Sequence, residues 1–331
     1  MENGINSMQY KIKKISGDAS FREFYKIKKK FESTILVKAN KDKFRNLIIY
    51  AAINELLIKN KIKAPKLIKE FFSTDMMEIE NLGNLSFLEY IKNKKNKFND
   101  YKKLIELIVK LQNIKFEKCI KFKRNKIKIR DFNLKELHKE SDLFFDWYLK
   151  NNSKKKEFNK NKNKIKKELN LLYKTLYFQG MCFVHRDFHA SNIMIKNKKL
   201  GVIDSQDALR GNLLYDVASL IDDVRIKLPK DLKLSLFNYY LSKTNKIKKK
   251  KEKLIAKNDF DILSVQRNLK ILGVFVRLCK RDHKPIYLKY LPYIWRLLAS
   301  RLSNPIFINL RRLLDKIVPK QNRNKINFND N

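Results

Sequence analysis

Between residues 185 and 204 the chain carries four side chains whose types and spacing suit phosphoryl transfer. Moving a phosphoryl group onto an alcohol needs a carboxylate beside the acceptor hydroxyl and oxygen ligands for a hard divalent cation. Both must sit on a frame that keeps them in line. In HRDFHASN (185–192), His185, Asp187 and Asn192 keep the H-x-D-x-x-x-x-N spacing, and Asp204 follows in IDSQD. Asp187 is the candidate base. Asn192 and Asp204 are candidate ligands for Mg²⁺, which takes few protein oxygens and keeps several waters. His185 is expected to hold the loop from beneath by hydrogen bonding.

Asn192 and Asp204 can meet only if the chain doubles back between them. Asn192–Ile195 and Leu200–Asp204 read as short strands flanking Lys196–Lys199, a tight turn centred on Asn197. Such a hairpin returns both oxygen donors to one end. Elsewhere the pattern changes once. Met8–Ser16, Phe21–Ile27, Ser33–Ala39, Lys66–Phe72 and Met76–Glu80 read as strands, interrupted by one helix over Phe44–Asn60 with apolar residues at helical spacing. After Asn81-Leu82-Gly83 the period is helical over Phe87–Ile91, Lys102–Ile114, Leu134–Leu149, Ile165–Gln179, Leu232–Leu241, Phe260–Cys279 and Ile286–Ser300. The expected class is α+β, with a small β-rich N-terminal lobe (1–80), a larger mostly helical lobe (81–318) and a polar tail (319–331).

Lys38 ends the third strand in ILVKA, and Glu55 lies four residues after Ala51 on the apolar side of its helix. A carboxylate there is costly unless a cation meets it. Lys38 is the expected partner, forming the strand-lysine and helix-glutamate pair that holds nucleotide phosphates in kinases; the alternative is that Lys38 is one more surplus surface lysine. Arg277 could face an anionic acceptor or be an exposed or salt-bridged helix residue. Gln206 and Asp207 could touch substrate or be solvated.

The segments VHRDFHASNIMI and LGVIDSQDALRGNLLYDVASLIDD are similar to the aminoglycoside phosphotransferase family. Within it they resemble the bacterial anomeric kinases of N-acetylmuramate and N-acetylglucosamine, as do GDASFREFYKI, EIENLGNLSF and LKILGVFVRLCKRDHKPIYLKYLPYIWRLL. The resemblance implies a two-lobed protein-kinase-like fold that uses ATP and Mg²⁺. It implies Asp187 as general base and Asn192 and Asp204 as metal ligands, Asn192 also lying on the nucleotide side. GDASF, with Ser20, is similar to the family's phosphate-covering loop, although its lone Gly17 departs from G-x-G-x-x-G and a plain hairpin turn fits equally. Glu80 looks like the hinge whose backbone holds adenine. The acceptor implied is the anomeric hydroxyl of an amino sugar, with an aminoglycoside, choline or homoserine as alternatives.

The composition offers a competing reading. Lys+Arg number 76 against 34 Asp+Glu, a net charge of +42, as expected of a nucleic-acid binder. Yet the lysines run through the whole chain mixed with Asn and Ile, and codons rich in A and T explain all three. Nucleic acid is therefore not expected as a partner, and a small-molecule sugar or alcohol is. Cys119, Cys182 and Cys279 are unpaired in spacing and sit in apolar stretches, so buried reduced thiols are expected. With no N-terminal apolar segment and no run of about 18 apolar residues, the expected location is cytoplasmic.

Overall fold

The computed structural model describes residues 11–15, 22–28, 32–39, 45–115, 117–152 and 155–324. The GDASF segment from Gly17 to Phe21, and with it Ser20, lies outside the described residues. The chain divides into two compact units. One comprises residues 1–90, 116–128 and 191–208; the other comprises 91–115, 129–190 and 209–331.

The first unit is built on an antiparallel sheet. Strands β1 (Lys11–Ile15), β2 (Glu23–Lys28), β3 (Ser33–Lys38), β4 (Leu67–Phe71) and β5 (Met76–Glu80) pair in the order β1-β2-β3-β5-β4. Helix α1 (Arg45–Lys59) buries Leu47, Tyr50, Ala51 and Ala52 in one cluster with Val37 of β3 and Met77 and Ile79 of β5. Strand β6 (Leu85–Ser86) leads into α2 (Phe87–Lys92), and the 116–128 segment adds a hairpin of β7 (Cys119–Phe122) and β8 (Asn125–Lys128). The expected second hairpin is present as β10 (Ile193–Lys196) and β11 (Lys199–Val202), in register Ile193↔Val202. Its loop is Asn197-Lys198, with φ of 51° and 60°. Positive φ at both central positions is what a two-residue turn matched to strand twist requires. β6 completes this sheet by pairing with β10.

The second unit is mostly helical. It contains α3 (Phe98–Gln112), α4 (Leu134–Leu143) running into a π-helical stretch (Phe144–Leu149) and a final turn α5 (Lys150–Asn152), then α6 (Lys155–Lys174). Later come α7 (Tyr215–Ile221), α8 (Lys230–Lys243), α9 (Lys250–Lys280), α10 (Leu291–Arg301) and α11 (Ile308–Ile317). Between α6 and α7 the three-residue strands β9 (Cys182–Val184) and β12 (Leu209–Gly211) pair antiparallel. Helix α9 starts ten residues before its apolar pattern does. Glu252 fixes that start by accepting the backbone N–H groups of Lys248 and Lys249 at 2.7 and 2.9 Å, as an N-terminal carboxylate does. Its middle packs on backbone: a Cβ on Gly273 would stand 2.1 Å from the Leu143 carbonyl oxygen. Only glycine lets α9 approach the α4 junction this closely.

Docking of the chain continues past 319. The Tyr148 hydroxyl donates to the Arg323 carbonyl at 2.6 Å, and the Arg323 guanidinium lies over the Trp295 ring. Cys182 and Cys279 are buried free thiols as expected, while Cys119 is only half-buried on β7. Among the described residues no helix is long and apolar enough to cross a membrane.

Candidate active site

The loop that carries Asp187 is fixed from three directions within the helical unit. β9 ends at Val184, and the next two backbone N–H groups, of His185 and Arg186, both donate to Asp216 on α7, at 2.7 and 3.0 Å. Burial raises the Asp216 carboxyl, and these two donors work against that rise. Arg186 has φ of 74°, a left-handed conformation that costs a non-glycine residue about 1–3 kcal/mol unless its surroundings impose it. Here they do. Its guanidinium donates to Glu140 Oε1 at 2.5 Å, and its carbonyl accepts from Arg267 Nη1 at 2.9 Å.

Glu140, from α4, is the hub of this arrangement. Its buried carboxylate also receives the Tyr215 hydroxyl (2.7 Å), Gln266 Nε2 (3.0 Å) and Lys270 Nζ (2.9 Å). Burial alone would raise it, but Lys270 and Arg186 hold it at about 2. Arg267 and Lys270 are three apart on α9 and so share a face. Both reach Asp187 Oδ1, at 3.8 and 4.0 Å. Burial would lift the Asp187 carboxyl; the charges of Lys270 and Arg267 more than reverse this and hold it below the ordinary carboxylate range. The Asp187 side chain keeps 35% of its surface open. It is thus an ionised, accessible carboxylate at any physiological pH. Lys270→Met is expected to raise the Asp187 pKa, moving the acid limb of a kcat/KM–pH profile upward. Wild type should stay flat from pH 4 to 8 while the variant's acid limb enters that range, and a variant as flat as wild type would deny Lys270 that influence.

In the first unit, the β10–β11 hairpin returns Asn192 and Asp204 to one end, as expected. The Ile203 N–H donates to the Asn192 carbonyl at 3.0 Å. Asp204 has φ of 64°, the second strained non-glycine residue among the candidates, and α1 holds it there. Its N–H donates to the Tyr50 hydroxyl at 3.3 Å, and the following residue, Ser205, donates its hydroxyl to Asn54 Oδ1 at 2.7 Å. One Asp204 carboxylate oxygen is met by Arg22 Nη2 at 2.8 Å and by Gln206 Nε2 at 3.1 Å. An amide and a carboxylate at one hairpin end fit Mg²⁺ as a donor set, because that ion takes its remaining ligands from water and phosphate.

The Lys38–Glu55 pair is not formed, which corrects the sequence expectation. Glu55 is 42% exposed and pairs with Lys59, one turn along the same helix. Asn54, not Glu55, takes the inward position on α1 and is buried. Lys38 is exposed, lies across the strand pair from Glu23, and makes no ion pair among the described residues. Glu80 ends β5, where its N–H donates to the Lys66 carbonyl at 2.8 Å and its carboxylate lies 3.7 Å from Lys196 Nζ. Arg277 is half-buried; among the described residues it makes no salt bridge and its Nε has no hydrogen-bond partner. Asp207 is exposed and accepts from Gln206 at 3.0 Å. Glu140, Arg267, Lys270 and Arg22 were not singled out by sequence reasoning.

The chain is similar to known proteins in sequence and in fold. The profile of a phosphotransferase enzyme family matches residues 11–248. The N-acetylmuramate/N-acetylglucosamine kinase of Pseudomonas aeruginosa is 33% identical over 183 residues, 54% of this chain and 54% of that protein. The enzyme of the same name from Pseudomonas putida is 25% identical over 279 residues, 84% of this chain and 79% of that one. The first of these matches thus spans about half the length of its relative. Among solved structures, the choline kinase of Cryptosporidium parvum superposes with a TM-score of 0.61 at 13% identity, covering 94% of this chain and 95% of that one. Aminoglycoside phosphotransferases are also among the structural neighbours. The expected α+β, kinase-like class is the class of these neighbours.

Proposed function

Because the chain belongs to the phosphotransferase enzyme family, we propose that it transfers the γ-phosphoryl group of ATP to the anomeric hydroxyl of an amino sugar of the N-acetylmuramate or N-acetylglucosamine type. The observation that carries this reading is Asp187: an open carboxylate kept ionised by two buried cations, on a loop whose strained backbone three neighbours hold in place. A hydroxyl hydrogen-bonded to that carboxylate is oriented for attack. As its oxygen displaces ADP from the γ-phosphorus, Asp187 accepts the proton. Asn192 and Asp204 would hold Mg²⁺, which supplies positive charge against the β- and γ-phosphates. Arg267 and Lys270 keep Asp187 charged and fixed between turnovers. The amino-sugar acceptor is supported by the two relatives' names and by the motif resemblance in the C-terminal helices. A cytoplasmic location is proposed with it, supported by ATP use and by the free cysteines.

The test is ADP release across an acceptor panel of N-acetylmuramate, N-acetylglucosamine, choline, homoserine and an aminoglycoside. Turnover with the amino sugars supports the assignment. Turnover with choline, homoserine or the aminoglycoside alone sinks the sugar and keeps the reaction class.

A further inference from the structure

We infer that Arg22, and not Lys38, is the residue of the sheet unit that grips the nucleotide's phosphates; this rests on the reading of the chain as an ATP-dependent phosphotransferase. Arg22 directly follows the GDASF segment in sequence. Side chains alternate faces along a strand. Phe24 of β2 packs on the α1 core, and the Arg22 guanidinium, just before β2, lies on that same side, over the Tyr50 ring of α1, 5.7 Å from the centroid. Lys38 follows buried Val37 and projects from the opposite face. The two cations are thus on different sides of one sheet, and only Arg22 is on the side of Asp204.

The charges at Asp204 then constrain what Arg22 does. Its side chain is only 4% exposed, and its ion pair with Asp204 is 2.8 Å long. Were Mg²⁺ held by the Asp204 carboxylate, a guanidinium only 4% exposed would stand beside a divalent cation. Two cations side by side at a buried site repel each other strongly. A nucleotide phosphate would relieve that repulsion, since the planar guanidinium fork of Arg22 matches phosphate oxygens two at a time. Arg22 is therefore a stored phosphate ligand, parked on the metal-binding carboxylate until Mg²⁺ and nucleotide arrive together.

Two affinities should move in opposite directions when Arg22 is replaced. Arg22→Met is expected to weaken the binding of Mg²⁺ with the non-hydrolysable analogue adenosine 5′-(β,γ-imido)triphosphate by about 10–100-fold, the worth of a charge-assisted hydrogen-bonded contact. The same variant should bind Mn²⁺ alone more tightly than wild type, because Asp204 has lost its competing cation. Calorimetry reads the first affinity, and the electron paramagnetic resonance signal of free Mn²⁺ reads the second. Arg22→Lys, which keeps the charge and loses the fork, should weaken analogue binding severalfold. It carries the test if thermal melting shows that Arg22→Met does not fold. Wild-type binding of the analogue by the folded variants overturns the role of Arg22 and leaves the phosphotransferase reading intact. A wild-type protein that binds no analogue overturns both.

Discussion

Asp187→Asn is expected to lower kcat for phosphoryl transfer by about 10²–10⁴-fold, the span of a general base's contribution, with little effect on folding. The substitution keeps the side chain's size and removes only its charge. The loop does not depend on that charge. Its backbone is held by Asp216, its Arg186 side chain by Glu140 and its Arg186 carbonyl by Arg267. What the amide lacks is the capacity to accept a proton, and with the carboxylate goes the anion that Arg267 and Lys270 surround. Steady-state kinetics with saturating ATP, set beside the melting temperature, separate the two effects. A variant that melts like wild type and turns over at the wild-type rate would remove Asp187 from the chemistry.

Glu140→Gln is expected to destabilise the fold by about 3–5 kcal/mol, because it removes the nearest anion from two buried cations. Arg186 and Lys270 both pair with the Glu140 carboxylate, each with a side chain only 14% exposed, so water cannot take the carboxylate's place. The pH dependence follows from the direction of the shift. Glu140 is held at about 2 in the folded chain against 4.5 ordinarily. Its contribution is complete above about pH 4.5 and is lost as pH falls toward 2. Urea unfolding of wild type and Glu140→Gln should show a gap that is constant near neutrality and narrows below pH 4.5. A gap that did not change with pH would mean that the carboxylate's charge is not what stabilises.

What could be read from the sequence was local. HRDFHASN carries its spacing within eight residues, and the Asn197 turn fixes the hairpin that brings Asp204 back to Asn192. Amphipathic helices and half-buried strands show their periods, and most of them were found. Helix α7 was missed because every residue from Tyr215 to Ile221 is buried, so no polar face marks its period. β9 shows as the apolar run before the Asp187 loop, whereas β12 is three residues long, too short for alternation to appear.

The support for Asp187 was illegible for another reason. Glu140 and Lys270 are separated by 130 residues, and in a chain with 76 basic residues nothing distinguishes Lys270 from its neighbours until α9 buries it. The same surplus made Lys38 a plausible partner for Glu55. Periodicity could not show that Asn54 would take the inward position and turn Glu55 toward Lys59. Arg22 was overlooked because its partner lies 182 residues along the chain.

The central claim is that this chain moves a phosphoryl group from ATP to the anomeric oxygen of an amino sugar. Phosphorus and proton NMR of wild-type protein with Mg²⁺, ATP and N-acetylmuramate tests it most directly. The account predicts one sugar phosphate ester formed per ADP released, with the anomeric proton split by phosphorus. ATP converted only to ADP and inorganic phosphate, or an ester at any other hydroxyl, would contradict it.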